Sequence, residues 1–183
     1  KKRGIVFFSA HYGNWELGPI IIKSLGLDPL CVYRKSNNKF VELLIQNIRG
    51  KNATYAPKGD IGAKKSYLWL RKGKSLALLM DQKLNEGLSI DFLGKPANTA
   101  SFIADIAIRM NLDIVPIKLS RDKHNHNIIT FYKKINMPKN NLSKNKKISF
   151  ILKQVNDVMS QWIKDQPENW LWIHRRWQKD LYV

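Results

Sequence analysis

Short apolar runs of strand length alternate with segments of helical period along almost the whole chain, and this alternation constrains the fold more than any other feature. "GIVFFSA" (4–10) reads as a buried strand, and "NWELGPIIIKSL" (14–25) as a helix with Asn14 at its N-cap. "LCVY" (30–33) is the next strand. "NKFVELLIQNIRG" then sets Phe40, Leu43, Leu44 and Ile48 on one helical face, with Gly50 as the stop. "NATYA" predicts a short strand, Asp60 caps a third helix ending at Gly73, and "SLALLM" (75–80) is the clearest buried strand. "TASFIADIAIRMN" opens at a Thr99 cap and buries Phe102, Ile103, Ile106 and Met110. "DIVPIKLS" and "NIITFYKKI" are two more strands around an exposed "RDKHNHN" turn, and "KKISFILKQVNDVMSQWIKDQ" is the strongest helix. Such a succession predicts an α/β fold, a central and largely parallel sheet covered by helices on both faces. At 183 residues the chain is expected to form a single domain, 1–183. It opens on Lys1-Lys2-Arg3-Gly4 and enters a strand at once, so it reads as a fragment whose N-terminal anchoring segment lies upstream.

Charge narrows the partners. Lysine and arginine number 32 against 14 acidic residues, a net charge of +18. That field favours nucleic acid, anionic lipid or an acidic protein. Abundant Lys, Asn and Ile together also fit the bias of an AT-rich genome, which accounts for part of the excess. No apolar run approaches the ~18 residues that a membrane helix needs. The single cysteine, Cys31, excludes an internal disulfide and fits a reducing compartment or a buried thiol.

In open α/β sheets, functional residues gather where strands end and helices begin. Three polar clusters occupy such places: His11 to Glu16, Tyr33 to Asn38, and Asp81-Gln82. On a single helix His11 and Glu16 would lie about 140° apart, at ~100° per residue, and could not meet. They meet only if His11 lies on the turn before the helix and Glu16 in its first turn. A carboxylate there is favoured by the helix dipole, can hold one imidazole nitrogen, and leaves the other to take a proton. The residues alone leave two readings open, a polar turn and a base with its orienter. Asp81 and Gln82 close an otherwise apolar strand and fit a site or a solvated turn. His124 and His126 have no third ligand nearby and read as a turn, so no metal is expected.

"HYGNWE" resembles the HxxxxD/E motif of the glycerolipid acyltransferase superfamily, and its flanks resemble the bacterial lipid A biosynthesis (lauroyl/myristoyl) acyltransferases. Further segments match that family in order. "VYRKSNN" is similar to a YRPxxN segment, with Lys35 and Lys39 where prolines are usual, and "LLMDQK" to a strand ending in Asp-Gln. "DFLGKPA" is similar to a DFFGxPA stretch, and "PENWLWIHRRW" to a closing P-E-x-x-L-W-x-H-R-R segment. The resemblance covers Ile5 to Trp177.

It implies a glycerolipid-acyltransferase-like fold and a membrane-associated O-acyltransferase that uses no cofactor. His11 would deprotonate the hydroxyl of an anionic, Kdo-bearing lipid A precursor, which attacks an acyl thioester carried by acyl carrier protein. Glu16 would orient His11. Asn14, or N–H groups near it, would stabilise the oxyanion. Arg34 would pair with a phosphate, and Asn38, Asp81, Gln82, His174 and Arg175 carry over as substrate-binding residues. The expected place of work is the cytoplasmic face of the bacterial inner membrane, with the basic charge facing the membrane surface. From Pro167-Glu168 a C-terminal helix would align Trp170, Ile173, His174 and Trp177 beside Arg175-Arg176, either on the membrane or docked on the core. Two rival functions are an esterase or thioesterase using Ser9 or Cys31, which lacks a G-x-S-x-G elbow, and a basic nucleic-acid-binding module, which lacks any binding signature.

Overall fold

A computed structural model describes residues 3–50 and 52–182. Eight strands and five α-helices follow one another as β1 (Ile5–Ser9), α1 (Leu17–Ser24), β2 (Pro29–Tyr33), α2 (Lys39–Arg49), β3 (Thr54–Pro57), α3 (Asp60–Arg71), β4 (Ser75–Leu79), β5 (Leu88–Phe92), β6 (Lys95–Thr99), α4 (Phe102–Met110), β7 (Asp113–Arg121), β8 (Asn127–Phe131) and α5 (Lys144–Asp165). Six of the strands form one sheet in the order β3-β2-β4-β1-β7-β8. All its pairings are parallel except β7 with β8. The expected α/β architecture is therefore the one found. β5 and β6 form a separate antiparallel hairpin, which no strand in the sequence reading anticipated.

β1 shows how the sheet is sandwiched. Val6, Phe8 and Ala10 point into a large core built with α3, α4 and α5, whereas Phe7 points the other way, to Ile22 of α1 and to Ile117 and Leu119 of β7. The side-chain period of two sends alternate residues to opposite faces, so a continuous apolar run is what a strand buried on both faces requires. On the large-core side α5 buries Ile148, Ile151, Leu152, Val155, Met159, Trp162 and Ile163. Each such side chain contributes roughly 1.5–3 kcal/mol on burial. The same helix holds the hairpin: Asn156 Nδ2 donates to the Asp91 carbonyl at 2.9 Å, and Ser160 Oγ accepts from the Leu93 N–H at 3.0 Å.

Several local expectations give way to tertiary demands. Asn14 does not cap α1, which starts three residues later with Glu16 at the N-cap, because the Gly13 backbone is tied to the C-terminal segment. Asp60 is the first helical residue of α3, and Gly59 is its N-cap. Thr99 ends β6 and α4 follows Ser101; the Thr99 hydroxyl bonds the Ala97 carbonyl, Asn156 and Arg176 instead of a helix end. Where a helix is expected after α5, the described residues form two short 3-10 turns instead, Lys179–Leu181 near the end and, directly after α5, Pro167–Asn169. Trp170 leaves that turn in extended conformation and forms a β-bridge with Tyr12. No helix among the described residues is long and apolar enough to cross a membrane.

Candidate active site

Ser9 of β1 stands opposite Leu79 of β4, and the Met80 N–H donates to the Ser9 carbonyl at 2.9 Å. The two parallel strands therefore leave the sheet level with each other, and two residues beyond each partner lie His11 and Asp81. His11 Nδ1 is 2.8 Å from Asp81 Oδ1, and Trp170 Nε1 donates to Asp81 Oδ2 at 2.9 Å. Asp81 is 4% exposed. Burial pushes its pKa up, but the hydrogen bond and charge of His11, with the Trp170 indole N–H, outweigh that and hold it below the ordinary value. An ionised carboxylate only accepts, so Nδ1 carries the hydrogen of this pair. No described residue bonds Nε2 of His11. The ring of Trp15 meets the imidazole edge-on at 5.1 Å between centroids.

Glu16 does not hold His11. The carboxylate found at Nδ1 is that of Asp81, and Glu16 is engaged elsewhere: Arg49 Nε and a terminal guanidinium nitrogen donate to its two oxygens at 3.1 and 2.6 Å. Arg49, the last residue of α2, lies over the rings of Tyr33 and Tyr55 at 5.5 and 5.2 Å. A guanidinium fork matches a carboxylate better than an imidazole can, and the pair is bidentate. Arg49 and Trp170 are thus the site residues that sequence reading missed. For Arg49 a signal existed, since the helical wheel of α2 places it beside Glu42 and opposite Phe40 and Leu44.

The C-terminal segment clamps the turn that carries His11. The Gly13 N–H donates to the Asn169 carbonyl and the Leu171 N–H to the His11 carbonyl, both at 2.8 Å. Gly13 has φ +56°, and a Cβ there would lie 2.2 Å from the Leu119 carbonyl oxygen, so only glycine fits between β7 and the tail. Tyr12, fully buried, donates its hydroxyl to the carbonyls of Trp162 and Gln166, each at 3.0 Å, joining the turn to the end of α5.

In front of His11 opens a cavity of about 800 Å³. Its wall is largely apolar (Phe7, Trp15, Ile22, Leu79, Met80, Phe102, Ile117 and Leu119 among others), with His11, Glu16, Arg34, Arg49, Lys58 and Gln82 as polar groups. This size and lining suit an apolar ligand oriented by a few polar contacts. Arg34 and Gln82 both line this cavity. Asn38 accepts from the Phe40 and Val41 N–H groups at 2.9 and 3.3 Å and caps α2. Asn14 lies in the turn between His11 and α1, while His174 and Arg175 are exposed on the tail; none of these, nor Asn38, lines the cavity.

The rival nucleophiles are poorly prepared. Cys31 is buried and its thiol is pushed up to about 12 by burial, with Glu16 adding and Arg49 subtracting. Ser9 is buried as well, and its Oγ has no hydrogen-bond partner, His11 included. His124 and His126 lie in the β7–β8 turn around Asp122, and the described residues contain no group of three His, Cys, Asp or Glu able to hold a metal.

An imidazole fixed by a buried carboxylate in the wall of a largely apolar cavity can take a proton from a hydroxyl. A search of curated proteins finds no match to the chain. A model of the bacterial lipid A biosynthesis acyltransferase family matches residues 1–179. The chain belongs to that family and is an acyltransferase.

Proposed function

We propose that the protein transfers a fatty acyl chain from the thioester of acyl carrier protein to a hydroxyl of an anionic lipid A precursor, at the cytoplasmic face of the inner membrane. The observation that carries the mechanism is the 2.8 Å contact between His11 Nδ1 and Asp81. With Nδ1 engaged, Nε2 accepts the proton of the acceptor hydroxyl as its oxygen attacks the thioester carbonyl. The tetrahedral intermediate collapses with cleavage of the C–S bond, and the imidazolium returns the proton to the departing thiolate. Asp81 stabilises the imidazolium between these steps, so His11 and Asp81 form the dyad. No enzyme nucleophile is required.

Glu16 acts through Arg49. By fixing the guanidinium in the cavity wall it keeps a positive charge near the negative charge that develops on the thioester oxygen. The N–H groups of Trp15 and Glu16, residues of the cavity wall, are further donors for that oxygen. Arg34 and Lys58 at the cavity wall suit the phosphates of the acceptor, and the apolar wall suits the acyl chain.

The test is turnover of acyl carrier protein thioester with a Kdo-lipid A precursor. His11→Ala is expected to lower kcat by about 10²–10⁴ while the thermal unfolding midpoint stays close to that of wild type. Wild-type turnover in that variant would sink the mechanism.

A further inference from the structure

α2 is amphipathic the wrong way round for a helix that only completes a core. Its one buried residue is Glu42, 4% exposed, while Phe40, Leu44 and Ile48 are 83%, 57% and 71% exposed and Leu43 and Val41 are exposed too. At ~100° per residue these five apolar side chains cover an arc of about 160°. The polar face points inward. Glu42 is bonded by the Tyr33 hydroxyl, by the Ser36 N–H at 2.8 Å and by Gln46 Nε2 at 2.7 Å, and Arg49 holds Glu16. The helix is therefore anchored by polar contacts and offers its apolar face outward.

From this geometry we infer that α2 lies in the surface of an anionic lipid bilayer with Phe40, Leu43, Leu44 and Ile48 among the acyl chains, which sets the cavity mouth against the membrane. Charge argues for a bilayer over another apolar partner. Between Tyr33 and Gly50 stand four basic residues and one carboxylate, and that carboxylate is the buried Glu42. Arg34 and Lys35 are exposed just before the helix, Lys39 is exposed at its first position, and Lys58, also exposed, is tied to the end of β2 by its N–H. An apolar face bordered by basic side chains is the pattern of an interfacial helix, in which apolar insertion and attraction to anionic headgroups add. Position argues the same way, because Ile45 and Arg49 of this helix line the cavity that contains His11. A lipid acceptor, which the choice of a bilayer takes from the proposed function, would then pass from membrane to cavity without crossing water. The C-terminal tail also exposes Leu171, Trp172 and Ile173, but Trp172 stacks on Trp170 and meets Trp177 edge-on, and the five exposed apolar residues of α2 form the larger face.

The test uses the 183-residue chain and vesicles of phosphatidylcholine with or without phosphatidylglycerol. An environment-sensitive fluorophore is attached through Leu44→Cys, with Ser149→Cys on the exposed side of α5 as control; the native Cys31 is buried. Anionic vesicles should shift the fluorophore at position 44 to the blue and shield it from aqueous quencher, and leave the one at 149 unchanged. Phe40→Asp combined with Leu44→Glu should weaken vesicle binding at least about tenfold with an unchanged unfolding midpoint. Lys35→Glu should weaken only the binding to anionic vesicles. A fluorophore at 44 that stays in water while the protein sediments with vesicles would overturn the inference. So would a wild-type dimer in sedimentation velocity that Leu44→Glu dissolves, since α2 would then cover a second copy. If vesicle binding fails while detergent-dispersed acceptor is still acylated, the inference falls and the acyltransferase mechanism stands. If α2 inserts and His11→Ala turns over like wild type, the reverse holds.

Discussion

At the level of single residues, the pairing of His11 with Asp81 and of Glu16 with Arg49 is the finding with the sharpest consequences. Asp81→Asn keeps the shape but replaces a carboxylate by a group that cannot stabilise an imidazolium. A fall in kcat of about 10²–10⁴ is expected, with KM nearly constant, read from steady-state rates on the detergent-dispersed acceptor. Glu16→Gln and Arg49→Lys should each lower kcat by about 10–10³, because they disturb one charge pair at the cavity wall. The double variant should fall little further than the worse single one, and additive losses would separate the two residues. His11 could be recognised from its place after an apolar strand and from its motif. Its partner could not, for any carboxylate near the sheet edge satisfies the same chemistry, and the adjacent Glu16 looked sufficient.

The elements show the same division. Strand and helix periods along the chain place β1, β2, β4, α2, α4, α5 and β7 close to where they are found. The hairpin of β5 and β6 escaped because it does not join the sheet: it is held by Asn156, Ser160, Arg176 and Trp177, all far away in the chain. α2 lies where its period places it, and the apolar face that the period defines is the exposed one. Its apolar stripe marks a face that avoids water, and nothing in one segment tells whether a core or a membrane provides the shelter. The turn at Gly13 allows a direct check. Gly13→Ala must take a positive φ and press on the Leu119 carbonyl, for a destabilisation of at least about 1–3 kcal/mol by chemical unfolding. Activity should fall with it, since the same turn carries His11; a silent Gly13→Ala would mean that the tail does not clamp the site.

For the molecule as a whole, acid should act through the buried carboxyls. Asp81 and Glu42 both lie below their ordinary pKa in the folded state, Glu42 chiefly through the Tyr33 hydroxyl and the Ser36 N–H. A depressed pKa gives stability that is complete above the unfolded carboxylate range of about 4 and is lost as pH falls through the lower native values. The unfolding midpoint of the wild type should therefore drop steeply below about pH 4, and that of Asp81→Asn less steeply. Parallel curves would show that Asp81 gains nothing from its partners. Sequence by itself determined the layered α/β fold and the family, because periodicity, apolar run length and local motifs are properties of neighbouring residues. Only the tertiary structure decided that β1 lies beside β4, that His11 therefore meets a carboxylate 70 residues away, and that α2 turns its polar face inward. Those facts depend on strand order and on competition among distant partners for each charge, and pairings of that kind are settled only when the chain is packed.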